Sequence, residues 1–143
     1  MKKSIIIVFW TQVAFFIILV CQFYLPVFQD LLRGVELFMA PMAIFSLLGI
    51  ALLVLTLKEK VEGKLGKFLF LAGISSVGFF LAVFLHNIFY ALNEVAGQIA
   101  VLRYLAQALH VAFFFIAIPI CPIIFLIGMT GSVVLLIKKG RQT

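Results

Sequence analysis

The sequence predicts an all-α membrane protein: an antiparallel four-transmembrane-helix bundle, both termini inside, with a long, proline-kinked fourth helix. Three observations lead there. The first is composition. The chain is 66% hydrophobic and only 11% charged, with a mean hydropathy of +1.31. Globular domains are about 45–50% apolar and about 25% charged, so a soluble fold of this chain could not cover its surface with polar groups. The second is run length. Crossing a bilayer takes about 20 apolar residues, and four stretches qualify, over residues 4–25, 35–57, 68–92 and 110–137. Apart from Glu36 at one end, none contains a charged side chain. They lack the alternation of a membrane barrel and are too long for strands. The third is charge placement. Lys2 and Lys3 precede the first run, Lys58, Lys60, Lys64 and Lys67 separate the second from the third, and Lys138, Lys139 and Arg141 follow the fourth. The other two connections hold one basic residue each, Arg33 and Arg103. That alternation is the positive-inside pattern. It places the protein in the cell membrane as a multi-pass protein with both termini and the central hairpin in the cytoplasm.

The elements follow in order. The opening MKKS and its apolar run resemble the start of a secretory signal, but the run is too long and ends without a small-x-small cleavage site. Cys21 sits where a lipoprotein box would place it, yet Val20 stands where that box needs a small residue. The first run therefore reads as a retained span. Pro26 stops it, and Gly34 punctuates the entry to the second, which carries Pro41. The hairpin Lys58–Lys67 contains Gly63 and Gly66 as expected turn formers. The outer segment, 93–109, favours helix but is interrupted by Gln98, Arg103 and Gln107. It either extends a membrane helix outward or lies along the interface. No repeat or linker divides the chain, so residues 1–143 read as a single polytopic domain.

Lipid is as apolar as leucine, so membrane helices meet through small residues and polar contacts. At about 100° per residue each span shows one such stripe. The first gives Thr11, Ala14, Cys21 and Gln22; the second Met42, Ser46, Gly49 and Thr56; the third Ser75, Gly78, Ala82, His86, Tyr90 and Asn93; the fourth His110, Ala117, Cys121, Gly128 and Ser132. Counting about 1.5 Å per residue from the cytoplasmic ends puts a polar, proline or cysteine residue of every helix at one level near the outer face. That layer supplies the candidate ligand-binding residues Gln22, Pro41, His86, Asn87, Tyr90, Pro119, Cys121 and Pro122. Pro119 and Pro122 leave the carbonyls of Phe115 and Ile118 without their usual donors, and in lipid such carbonyls must find others. His86 is the expected donor. Bent helices diverge, so a cavity is expected above the layer.

Little other chemistry fits. Bis-histidine haem ligation is disfavoured because the same count sets His86 and His110 roughly 13 Å apart in height. Cys21, His86 and Cys121 are weak metal candidates without diagnostic spacing. Whether Cys21 and Cys121 pair is left open by the sequence. No convergent acid, base or nucleophile suggests an enzyme, no cofactor motif is present, and no basic patch with interleaved aromatics suggests nucleic acid. The expected function is a small non-enzymatic membrane protein of accessory or scaffold type. The expected partners are the lipid bilayer, a second copy or a larger membrane complex. One alternative is a membrane binding protein with an outer-leaflet cavity for a lipid, quinone or other small apolar ligand. Another is a small transporter subunit, for which His86 would be the only ionisable group in mid-membrane.

Overall fold

The computed structural model describes residues 3–27, 35–96 and 99–141, which are helical apart from short connections and include no strand. Among the described residues the α-helices include α1 (Lys3–Tyr24), α2 (Val35–Lys58), α3 (Gly63–Val95), α4 (Ala100–Phe115) and α5 (Cys121–Gly140). A π-helical segment, Ile116–Ile120, joins α4 to α5 without a break. Four helical stretches are long and apolar enough to cross a membrane: Lys3–Tyr24, Met39–Lys58, Gly63–Val95 and the continuous Ala100–Lys139. A helix is the economical choice for such sequences in lipid, because it pairs its own backbone donors and acceptors. The segment read as 93–109 resolves in favour of extension, since helix begins at Ala100 and runs into the fourth span. Arg33, Gly34 and Gln98 lie outside the described residues.

α3 is the centre of the bundle. It packs on α2, α4 and α5, whereas α1 packs chiefly on α2. The α3–α5 seam runs with rising numbers on one helix against falling numbers on the other. Gly131 and Gly128 lie against Phe68, Gly128 also touches Ala72, and Cys121 faces Gly78. The approach is close: a Cβ built on Gly128 would stand 2.7 Å from the Ala72 nitrogen and 2.9 Å from the Phe68 oxygen. The α2–α3 seam uses Gly49 and Gly73 in the same way, each abutting the other's carbonyl. These contacts matter because burial from lipid supplies no hydrophobic gain, so dispersion at short range does the holding.

Most expected stripes are buried. Met42, Ser46, Gly49 and Thr56 of α2, Ser75 and Ala82 of α3, and Ala117, Cys121, Gly128 and Ser132 of the fourth span all face inward. Gly78, His86, Asn93 and His110, by contrast, are half-buried, and Tyr90, expected on the inward stripe of α3, is exposed because it lies near the C-terminal end of the helix. α1 differs. Its buried residues are Ile5, Phe9, Gln12, Leu19 and Gln22, while Thr11 is only half-buried and Ala14 is exposed. Its packing face is thus turned by about one residue from the small-residue stripe. The cause is that α1 packs through large side chains at three- and four-residue spacing, not through close backbone approach. Gly66 also departs from expectation. It lies buried inside α3 beneath the Val61 carbonyl, and the turn is made upstream by Lys60 (φ +46°) and Gly63 (φ +75°).

Candidate functional site

Where α1, α2, α3 and α5 converge, four phenylalanines pack together. Phe16 lies 4.6 Å from Phe125 and 6.0 Å from Phe45, Phe45 lies 5.0 Å from Phe125, and Phe79 meets Phe45 edge-on at 6.3 Å. These rings form the floor of a cleft of about 570 Å³. Leu19, Val20 and Phe23 of α1 make one wall. Ile118, Cys121 and Pro122, at the π segment and the start of α5, make the other. Ser75 adds a polar atom, but its hydroxyl already donates to the Ala72 carbonyl at 3.0 Å. The lining is therefore apolar, and the volume falls within the 300–1,000 Å³ typical of small-molecule sites. Among the described residues α1 packs chiefly on α2, and the cleft lies between α1 and the π segment.

The π segment explains how this chain tolerates Pro119 in a span. The Cys121 N–H reaches back five residues to the Ile116 carbonyl, where an α-helix would reach back four. In that pattern the Phe115 carbonyl, which Pro119 cannot serve, falls to the N–H of the next residue, Ile120. Pro122 follows directly on the π segment, inside the same continuous helix, and likewise brings no N–H to the ladder. The backbone thus compensates for Pro119 by changing its own register.

His86 accordingly is not the donor to a proline-released carbonyl. Its Nδ1 lies 3.0 Å from the carbonyl of His110, and the two imidazoles stack with centroids 4.3 Å apart. A carbonyl only accepts, so Nδ1 of His86 carries the proton. Tyr90 approaches His110 at 5.4 Å and Phe114 approaches His86 at 5.6 Å. A count from residue 68 separates the two histidines by roughly 13 Å, about half of which is an error of origin. α3 begins at Gly63, which adds roughly 7 Å at 1.5 Å per residue. Although the histidines meet, their stacked faces leave no room for a porphyrin plane between them, as shared axial ligation requires.

Among the candidates from sequence, Cys121 and Pro122 line the cleft, whereas Gln22, Pro41, His86, Asn87, Tyr90 and Pro119 do not. Gln22 is fully buried on α1, and Asn87 donates to the Val83 carbonyl of its own helix at 2.8 Å. Cys21 and Cys121 are both free thiols. The candidate trio Cys21, His86 and Cys121 does not gather, and no three metal-ligating side chains converge among the described residues. Two features went unread in the sequence. One is the aromatic floor of the cleft. The other is Gln12, completely buried, whose Nε2 donates to Ser76 Oγ at 2.6 Å. Ser76 Oγ in turn donates to the Gly73 carbonyl at 2.8 Å. Gln12 was detectable from its spacing with Ile5, Phe9 and Leu19.

Comparison with protein-family models, with curated proteins and with solved structures finds no match for this chain. The fold and the cleft therefore set the class by themselves. Among the described residues it is an all-helical bundle with four helices able, by length and composition, to span a membrane and an apolar cleft in its flank.

Proposed function

We propose that this is a multi-pass membrane binding protein, without catalysis, whose flank cleft holds a small apolar ligand such as a lipid chain or a quinone tail. Its four spans run antiparallel, and the basic termini and the α2–α3 turn face the cytosol. The observation that carries this reading is the cleft of about 570 Å³ beside the π segment, walled almost entirely by carbon. Water has no partners on such a surface, and an empty apolar void of this size forfeits dispersion contacts on every side. An acyl or isoprenoid chain entering from the bilayer restores those contacts without stripping water from a polar group.

The test is mass spectrometry of lipids retained by the purified protein, compared with Val20→Trp. Val20 is 40% exposed on the cleft wall, so an indole there fills the space without entering the core. The expected result is one apolar species retained by the native protein and lost from the variant. An unchanged lipid complement in Val20→Trp removes the reading.

A second reading, an accessory or scaffold subunit, draws on the same cleft. Among the described residues the cleft separates α1 from the π segment, and a partner's transmembrane helix would fit there. It predicts co-purification of one membrane partner, lost in Val20→Trp, with no retained small molecule.

A further inference from the structure

At the opposite end of the bundle from the histidine pair, the connection between α2 and α3 forms a groove of about 440 Å³. Four features of it point to one ligand chemistry. First, α3 is a 33-residue helix whose first turn holds no acidic residue, and Glu62 at its N-cap makes no side-chain capping bond. Its leading N–H groups lack intrahelical acceptors and carry the positive end of the helix dipole. Second, Lys60 and Lys67 line the groove. Third, Thr56 also lines it; the residue is only 4% exposed, and its hydroxyl has no hydrogen-bond partner among the described residues. A buried hydroxyl without a partner is costly beside lipid. Fourth, Leu57 and Phe70 flank the groove with exposed hydrocarbon. The turn holds the parts in place: the Lys60 N–H bonds the Leu57 carbonyl and the Val61 N–H bonds the Thr56 carbonyl, each at 3.1 Å.

The opposing charges are Glu62, which lines the groove and is exposed, and the neighbouring Glu59. Against them stand Lys58, Lys60, Lys64 and Lys67 on the same connection, so the net charge there is positive.

We infer that this groove binds the phosphodiester head group of an anionic phospholipid. The phosphate sits at the start of α3, taking hydrogen bonds from its first N–H groups and from Thr56 once a change of χ1 brings its buried Oγ1 into the groove, with Lys60 and Lys67 as counter-charges. The acyl chains lie along Leu57 and Phe70. A soluble phosphate would use the same polar groups but not that apolar flank. This inference rests on the membrane reading and is independent of the cleft ligand.

The test uses the full-length protein in detergent, with dioleoyl phosphatidylglycerol, dioleoyl phosphatidylcholine or sodium phosphate added. Bound lipid is read by native mass spectrometry and stability by thermal unfolding. Phosphatidylglycerol is expected to bind and to raise the Tm, and phosphatidylcholine and sodium phosphate to do neither. Lys60→Gln/Lys67→Gln, both exposed, is expected to weaken phosphatidylglycerol binding about tenfold, and Thr56→Val to weaken it as well. Lys138→Gln/Lys139→Gln removes two charges at the same end but outside the groove, and is expected to leave binding unchanged. Equal losses in the two double variants would reduce the effect to diffuse surface charge and overturn the site. Equal stabilisation by sodium phosphate would overturn the lipid assignment.

Discussion

Single residues set how near these helices come. Gly128 and Gly78 both lie on the α3–α5 seam but differ in clearance. A Cβ at Gly128 meets the backbone of Phe68 and Ala72 at under 3 Å, whereas one at Gly78 meets only the Cys121 sulfur at 3.4 Å. Backbone cannot yield as a side-chain tip can, so Gly128→Ala is expected to cost about 1–3 kcal/mol and Gly78→Ala much less. Reversible unfolding in mixed micelles would measure both, and equal costs would show that the seam is looser than described. Gln12 carries a second lesson at this scale. Its Nε2 is paired with Ser76 while its Oε1 has no partner among the described residues. Interhelical hydrogen bonds in membranes average about 0.6 kcal/mol, so this contact fixes the rotation of α1 more than it stabilises the bundle.

At the scale of elements, the π segment decides the shape of the cleft. Pro119→Ala restores an N–H beneath the Phe115 carbonyl and lets the ladder return to α spacing. Each residue beyond it would turn relative to α3, carrying Cys121 and Pro122 off the wall. Retention of the apolar ligand is expected to fall about tenfold, or about 1.4 kcal/mol, as read by lipid mass spectrometry. Undiminished retention would show that the wall does not depend on the π register. Helix existence was legible in the sequence because it depends only on length and hydropathy, which four long runs declare. The inward faces of α2 and the fourth span were legible too, because both pack through small residues. α1 was not, since Phe9, Phe16 and Leu19 pack by size and leave no small-residue mark. The heights failed in part for a different reason: α3 starts at Gly63, in a polar stretch that hydropathy assigns to the loop, and this accounts for about half of the separation. The partnership of His86 with His110 was lost with them.

For the molecule as a whole, the two ends differ in character. One gathers Lys58, Lys60, Lys64 and Lys67 with Lys138, Lys139 and Arg141; the other shows Tyr24, Tyr90 and Tyr104 exposed. Aromatic residues of this kind favour the membrane–water boundary. In intact cells, with both native cysteines replaced by serine, Val101→Cys is expected to react with an impermeant maleimide and Lys64→Cys only after permeabilisation. The reverse pattern would invert the orientation. The central claim is that lipid-derived hydrocarbon occupies the flank cleft in preference to the rest of the apolar surface. The most direct measurement is photolabelling of the native protein in a bilayer with an alkyl diazirine lipid, followed by peptide mapping. Label concentrated on Phe23, Phe79 and Ile118 is the predicted result. Label spread evenly over outward residues such as Ile7, Val54 and Ile127, with none enriched in the cleft, would contradict it.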